Sequence, residues 1–371
     1  MPIIQKAPET MTAKERVQRT FAFEPTDRVT VGYEANPEIH KKLCAALGVK
    51  PNDTDALYAA LGVDYRGLVP DYTGPDLFAD LRANVGPDRH VDPLLGCVTR
   101  WVEHGNGGYW DYCDFPLADA DDEAFAAFPV PNPDHFDYDG ALEQAKAWSK
   151  TYAIHAANPG VGDVINSDGM LMGMEDALCH LALGNEAAID FIDRRSNYNL
   201  GVQERLLDKC GKYIDFMWLG EDLGTQIAPI ISLELYRKYI KPIHRRFIAL
   251  AESYNLPTII HTCGSSSWAY EDMIESGMRG VDTLQPEALN MDPAYLVKHF
   301  GGRLTFRGCI STAGPLTYGT AAEVEQICRE TLEIMMPVRG YHFAPTHAIQ
   351  DNTPVENVIA MYQAAHTFGR Y

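Results

Sequence analysis

Short β-branched stretches alternate with amphipathic helical stretches along most of this 371-residue chain. The alternation limits the possible folds more than any other feature, because consecutive strand–helix units build a parallel sheet. Eight strands are predicted, near residues 29–33, 64–69, 152–156, 214–219, 257–261, 280–285, 303–308 and 340–345. Eight units favour closure into a single (β/α)8 TIM barrel, an α/β fold that absorbs insertions, so that residues 1–371 form one domain.

Local signals mark where helices begin and where the alternation is interrupted. Thr320–Glu323 has the form of a capping box, and so does Thr353–Glu356, which has proline at its second position. Residues 97–139 predict a hairpin turning at 105–108 and then an acidic, proline-rich link, which together form an insertion over one end of the barrel. A doubly wound open sheet is the alternative, but no glycine-rich nucleotide-binding turn follows the first strand.

The charge balance and the cysteine pattern exclude several classes of protein. A net charge of −20 argues against binding to nucleic acid or to an anionic membrane. The chain has no apolar run near the ~20 residues of a membrane span, and its first residues lack an apolar signal core. Eight scattered cysteines are typical of reduced thiols. These features predict a cytoplasmic enzyme and leave its oligomeric state open, a homo-oligomer included.

The fifth predicted strand ends on a pair of metal-ligand types. Barrel enzymes carry their working residues at the C-terminal ends of the strands, where this chain has His261 and Cys263. Residues two apart on an extended strand face the same side, so both side chains can reach one ion. Imidazole with thiolate favours zinc over magnesium or calcium. A core histidine beside a buried cysteine would give the same short pattern.

A catalytic zinc site usually has three protein ligands and one open position. Cys309, after the seventh strand, and His347, after the eighth, are both candidates for the third ligand. Glu221 and Asp222 follow the fourth strand and are candidates for an oxygen ligand or a catalytic acid or base. The candidates for substrate binding near other strand ends are Tyr33, Glu34, Asp168, Gln285 and Phe306.

Several stretches, in order along nearly the whole chain, resemble the uroporphyrinogen decarboxylase superfamily. They are MTAKERVQRTFAFEPTDRVTV, LGEDLGTQIAPIISLELYRKYIKPIHRRF, IIHTCGSS, VDTLQPEALNMD, LTFRGCIST and HFAPTHAIQDNTPVENV. The resemblance implies a TIM barrel, in agreement with the strand count. True decarboxylases of this family carry an arginine-rich motif after the first strand to hold a polycarboxylate. This chain has Gly-Tyr-Glu-Ala-Asn-Pro there, with Glu34 where a cation would be needed.

The sequence is more similar to another branch of the superfamily, the zinc-dependent, corrinoid-linked methyltransferases. Their zinc motif is H-x-C on the fifth strand and a cysteine shortly before a T-P-x-E-N helix start. His261 and Cys263 match the first part, and His347 lies where the cysteine is expected, six residues before Thr353. The resemblance therefore implies a zinc site of His261, Cys263 and His347.

The change from cysteine to histidine has a chemical consequence. Zinc with one thiolate and two imidazoles is formally +1, whereas two thiolates make it neutral. The more electrophilic ion suits a leaving ether oxygen, which predicts methyl transfer from a methoxylated substrate, an aryl methyl ether, to a Co(I) corrinoid. Asp88-Arg-His90 lacks the glycine of a cobalamin signature, so the corrinoid is expected on a separate carrier protein. The alternatives are a coenzyme M-type thiol methyltransferase, a uroporphyrinogen decarboxylase-like lyase and a non-catalytic corrinoid-binding protein.

Overall fold

The computed structural model describes residues 3–105 and 107–371, and it contains all eight predicted strands. We number them β1 Thr30–Val31, β2 Tyr65–Leu68, β3 Ala153–Ala156, β4 Phe216–Gly220, β5 Thr258–His261, β6 Gly280–Leu284, β7 Thr305–Ile310 and β8 Tyr341–Pro345. They form one parallel sheet in the order β1-β8-β7-β6-β5-β4-β3-β2. A backbone hydrogen bond of 2.9 Å from Asp64 N to Val31 O links the two edge strands, so the barrel is nearly closed and the predicted fold is confirmed.

Helices connect the strands and surround the barrel. The α-helices are Ala13–Phe21, Pro37–Leu47, Thr54–Leu61, Ala79–Asn84, Asp122–Ala127, Tyr138–Trp148, Ile165–Met172, Met174–Leu183, Glu186–Cys210, Leu233–Leu235, Lys241–Ser253, Tyr270–Glu275, Pro293–Phe300, Pro315–Tyr318, Ala321–Met335 and Val355–Phe368. A π-helical turn spans Tyr236–Ile240, and 3₁₀ turns span Gly211–Tyr213, Ser267–Ala269 and Met336–Val338. No helix among the described residues is both long and apolar enough to cross a membrane.

One of the two predicted capping boxes is confirmed and the other is wrong. Thr320 Oγ1 accepts a hydrogen bond from Glu323 N, and the Glu323 carboxylate accepts one from Thr320 N. At the last helix the N-cap is Pro354, with no side-chain cap. The Thr353 hydroxyl instead forms a hydrogen bond of 2.9 Å with Thr317 Oγ1. It therefore links the loop after β8 to the helix Pro315–Tyr318 and does not cap its own helix.

The N-terminal helix Ala13–Phe21 closes the bottom of the barrel with a buried ion cluster. Arg16 and Arg28 both pair with Asp64, and Arg16 also pairs with Asp27. Asp64 immediately precedes β2, and Arg28 lies two residues before β1. Both arginines and Asp64 are almost fully buried, so the cluster holds the helix against the N-terminal ends of the first two strands.

The predicted insertion lies over the opposite, C-terminal end of the barrel. Its hairpin pairs Val98–His104 with Gly107–Tyr112, and Arg89–Val91 adds a third antiparallel strand. The predicted turn at 105–108 includes position 106, which lies outside the described residues. A second small ladder pairs Asp71–Tyr72 with Phe136–Asp137. These segments bring aromatic side chains to the barrel mouth.

Candidate metal centre and substrate cleft

The C-terminal ends of β5 and β8 bring three metal-ligand side chains together. One ligand atom from each of His261, Cys263 and His347 lies within 4.8 Å of the other two. Cys263 Sγ is 3.4 Å from His261 Nε2, and the two histidine rings lie 5.6 Å apart, centroid to centroid. Tetrahedral zinc with Zn–S of ~2.3 Å and Zn–N of ~2.0–2.1 Å separates its sulfur and nitrogen ligand atoms by ~3.3–3.6 Å. The donor set therefore fits zinc after small side-chain rotations.

A tight turn after β5 holds Cys263 in this position. Gly264 has a φ of +69°, and a Cβ there would lie 2.0 Å from Gly224 O, so only glycine allows the two backbones to approach this closely. Gln285 Oε1 accepts a hydrogen bond of 2.7 Å from Gly264 N, and Asp222 Oδ1 accepts one of 2.7 Å from Cys263 N. The turn therefore fixes the backbone on both sides of the thiol.

A buried carboxylate orients His261. The ring Nδ1 donates to Asp282 Oδ2 at 3.2 Å and lies 2.6 Å from Thr283 Oγ1, which leaves Nε2 facing Cys263. Thr283 has a φ of +62° in a β-bulge of β6. This conformation is strained for a β-branched residue and turns its hydroxyl toward the histidine. A carboxylate on the far nitrogen is the usual support of a zinc-bound histidine.

The same carboxylate is linked to a buried arginine. Asp282 Oδ1 accepts a hydrogen bond of 2.6 Å from Arg307, which also contacts Tyr65 Oη at 2.8 Å and Glu34 at 3.4 Å. Burial alone would raise the pKa of Asp282, but the Arg307 charge and the His261 ring outweigh it and lower this pKa to about 2. The Asp282 carboxylate is therefore fully ionised at neutral pH. Burial alone would lower the pKa of His261, but the hydrogen bond and the charge of Asp282 outweigh it and raise this pKa.

Burial raises the pKa of the Cys263 thiol, and the negative charge of Asp222 raises it further. A thiolate at this position therefore needs a cation beside it, as a bound zinc ion would provide.

We expect Asp282→Asn to weaken zinc binding by about 10- to 100-fold, because a neutral amide replaces the negatively charged carboxylate that supports the His261 ring. A competition titration with a chromophoric chelator measures the affinity. Thr283→Val is the matched variant, since it removes the neighbouring hydroxyl and keeps the Asp282–Arg307 pair. Unchanged affinity in Asp282→Asn, with the fold intact by circular dichroism, would contradict the assigned role.

The carboxylates after β4 have different environments. Glu221 is 1% exposed, and its two oxygens accept hydrogen bonds from Val164 N and Ile165 N, so it caps the helix Ile165–Met172. Asp222 Oδ1 lies 3.9 Å from His261 Nε2, beside the three candidate ligands. Burial, and then the charge of Asp163, raise the pKa of Glu221.

Asp163 adds a third carboxyl group to this region. Its Oδ2 accepts hydrogen bonds of 3.0 Å from Ser167 N and Oγ. Burial, and then the charge of Asp222, raise the pKa of Asp163 to about 7. Asp163 therefore exchanges between its neutral and charged forms near pH 7.

A cleft of about 600 Å³ opens from the metal ligands toward the insertion. Its lining includes His261, His347 and Asp222 at one end. Toward the other end the described lining residues include Tyr72, Leu94, Leu95, Tyr112, Phe136, Met170, Arg195, Tyr198, Asn199, Val202 and Gln203. The volume and the mixed aromatic and polar lining are typical of a small-molecule site.

A larger depression elsewhere on the surface does not contain the candidate metal ligands. It has a volume of about 800 Å³ and lies at the bottom of the barrel, between the N-terminal helix and the loop before β5. The chemistry of barrel enzymes is found at the opposite end, so we assign the substrate to the cleft beside His261.

The predicted substrate-binding residues do not belong to the described lining of this cleft. Tyr33 packs between helices and its hydroxyl contacts His40, and Phe306 is fully buried in the apolar core. The other three lie behind site residues: Glu34 contacts Arg307, Asp168 pairs with a cleft arginine, and Gln285 supports the turn after Cys263. Their effect on substrate stays a prediction, exerted through neighbouring side chains.

Comparison with known proteins agrees with the barrel fold and finds similarity to methyltransferases. Residues 221–368 match the uroporphyrinogen decarboxylase (URO-D) family. A methylated-thiol–coenzyme M methyltransferase of Methanosarcina mazei is 24% identical over 200 residues, which are 53% of this chain. The match spans about half of that relative's length, 49%.

A solved structure, described as a methyltransferase from Methanosarcina mazei, superposes with a TM-score of 0.65 at 17% identity. The superposition covers 96% of this chain and 98% of the other. At this identity the likeness shows the shared barrel, and the C-terminal half of the chain carries the URO-D match and the three candidate metal ligands.

Proposed function

We propose that this protein is a zinc-dependent methyltransferase that transfers the methyl group of a methoxylated aromatic ether to the Co(I) corrinoid of a separate carrier protein. The observation that carries the proposal is the convergence of His261, Cys263 and His347 at the mouth of the barrel. The URO-D match and the methyltransferase relative support the reaction class.

The donor set suits an ether. A zinc ion bound there would act as a Lewis acid on the leaving oxygen. Cys263 is the one anionic ligand of the three, so the site keeps a formal charge of +1. The neighbouring Asp222 carboxylate is held by Cys263 N and by Asn166 Nδ2, at 2.7 and 2.9 Å, and is positioned to orient a polar group of the substrate beside the ligands. The aromatic side chains of the cleft exclude water around a flat ring.

A thiol methyltransferase is the second candidate, favoured by the name of the Methanosarcina relative. Electron-rich zinc with two thiolates suits the activation of a thiol, and this site has a second imidazole instead. Decarboxylation of a polycarboxylate fits the site less well. Arg307 is paired with Asp282 and Glu34, and Arg195 is paired with Asp168, so neither guanidinium is available as an unpaired cation.

The test supplies zinc-loaded enzyme with a reduced corrinoid protein and methoxylated aromatics, and follows Co(I) converting to methyl-Co(III) while the phenol appears. We expect turnover only with the carrier present. In His347→Cys, which makes the zinc formally neutral, we expect ether turnover to fall at least about 10-fold. Methyl transfer to a thiol without any reaction of an ether would establish the second candidate, and carbon dioxide release without corrinoid would establish the lyase.

A further inference from the structure

The long helix Glu186–Cys210 forms one wall of the substrate cleft. Three of its polar side chains, Arg195, Asn199 and Gln203, are spaced four residues apart and all line the cleft. Residues with this spacing lie on one face of a helix, one above the other. The face is therefore a polar stripe along the wall of the cleft.

Gln203 is the unusual member of this stripe. The residue is 4% exposed, and its Oε1 has no hydrogen-bond partner within residues 3–105 and 107–371. An unsatisfied buried amide is costly, and native proteins rarely keep one without a reason. A glutamine amide offers one acceptor and two donors, so it can bind a group that both donates and accepts. Gln203 lines the cleft although its Oε1 is buried, so a rotation of the amide would let a bound molecule satisfy this group.

The charges around the cleft indicate a neutral partner group. Arg195 is the one arginine or lysine in the described lining, and its guanidinium donates to Asp168 Oδ1 at 2.6 Å and to Ser167 O at 2.8 Å. Its charge is therefore already paired. The opposite end carries the Asp222 carboxylate, which repels a second carboxylate. A hydroxyl group fits both the neutral amide and these surroundings.

The walls between the two ends are suited to an aromatic ring. Tyr72 and Phe136 lie 5.2 Å apart, and Phe136 and Tyr198 are stacked at 6.2 Å with an angle of 29° between the rings. Tyr198 lies on the same helix as the polar stripe, and Val202 of this helix adds an apolar side chain to the lining. A flat substrate can lie against this row of rings with one edge toward the metal ligands and another toward Gln203.

We propose that Gln203 determines specificity by hydrogen-bonding a neutral hydroxyl group on the aromatic ring of the methyl donor. Hydroxylated methoxybenzenes would then be better substrates than methoxybenzene itself. This inference rests on the proposed function, because it takes the ether carbon to be the methyl source. Gln203 acts at a distance from the reacting bond and positions the ring.

The test compares wild type with Gln203→Leu, which has nearly the same volume and lacks the amide. The probes are the three methoxyphenol isomers and methoxybenzene, with kcat/KM measured in the presence of reduced carrier. We expect Gln203→Leu to lower kcat/KM for the best methoxyphenol at least about 10-fold and to change that for methoxybenzene less than about 3-fold. Gln326→Leu, on an exposed position of the helix Ala321–Met335, is the matched control and should leave both values unchanged.

Calorimetric binding to zinc-loaded enzyme without carrier separates this inference from the proposed function. We expect wild type to bind one methoxyphenol at least about 10-fold more tightly than methoxybenzene, and Gln203→Leu to lose the difference. If no ether turns over but this binding difference is found, the proposed function fails and the role of Gln203 stands. Equal effects of Gln203→Leu on methoxyphenol and methoxybenzene, or no effect on either, would overturn the role of Gln203.

Discussion

Cys263→Ala is expected to lower the zinc content of the purified protein from about one ion per chain to less than about 0.1. Cys263 is the anionic member of the three ligands, and two neutral imidazoles on different strands cannot hold zinc against dilution and dialysis. The fold should remain, because the half-buried thiol follows β5 and the apolar core of the barrel is built from other side chains. Plasma emission spectrometry and circular dichroism measure the two properties.

Two other cysteines provide controls for this variant. Cys309 is buried in β7 and was the alternative third ligand, but it lies outside the group formed by His261, Cys263 and His347. Cys179 is exposed on a surface helix. Alanine at either position should leave the zinc content unchanged. Zinc retained in Cys263→Ala, or lost in Cys309→Ala, would refute the ligand assignment.

Asp64→Asn is expected to lower the free energy of unfolding by about 3–5 kcal/mol, because it leaves two buried guanidinium groups without their shared carboxylate. Arg16 and Arg28 are each about 1–2% exposed at the side chain, and Asp64 also accepts a hydrogen bond of 2.8 Å from Val31 N. Urea denaturation followed by circular dichroism measures the loss.

Glu38→Gln is the matched control, since Glu38 pairs with Lys41 on the surface of a helix. Exposed pairs of this kind contribute ~0–1 kcal/mol, so the control should unfold at nearly the wild-type urea concentration. A similar small loss in Asp64→Asn would contradict a structural role for the cluster.

The same cluster should make the protein sensitive to acid. Burial alone would raise the pKa of Asp27, but hydrogen bonds from Arg16 and from the backbone of Thr10 and Met11 outweigh it and hold this pKa well below its usual value. A carboxyl with a depressed folded-state pKa stabilises the protein above its unfolded pKa of ~3.9 and loses that contribution as the pH falls below it. The urea midpoint should therefore decrease below about pH 4, and less so in Asp27→Asn.

The barrel and the position of the candidate metal centre could be predicted from the sequence for the same physical reason. Both depend on local patterns: strand–helix alternation gives the sheet, and strand ends gather at one rim of a barrel. His261 and Cys263 share one strand end, but the strand ends leave both Cys309 and His347 as candidates for the third ligand, and the family resemblance is needed to choose His347.

The substrate cleft could not be predicted in this way. Tyr72 and Phe136 come from a short two-stranded ladder between β2 and β3, and Gln203 comes from the middle of a long helix, none of them at a barrel strand end. The alternation of side-chain direction along a strand explains why Phe306 lies in the apolar core and not in the described lining of the cleft. Phe306 points into the core, and its neighbour Arg307 points into the barrel, because successive strand residues face opposite sides. A strand predicted from its pattern does not reveal which face is inside when both faces are buried.

Zinc K-edge X-ray absorption of the purified protein tests the central claim most directly, because it reports the number and type of ligand atoms without assuming a substrate. The ligand set His261, Cys263 and His347 predicts one sulfur at ~2.3 Å, two imidazole nitrogens at ~2.0–2.1 Å and one further light atom. Cys263→Ala should remove the sulfur together with the metal. A shell with two sulfurs, or zinc bound with no sulfur at all, would contradict the assigned site and the charge on which the proposed reaction depends.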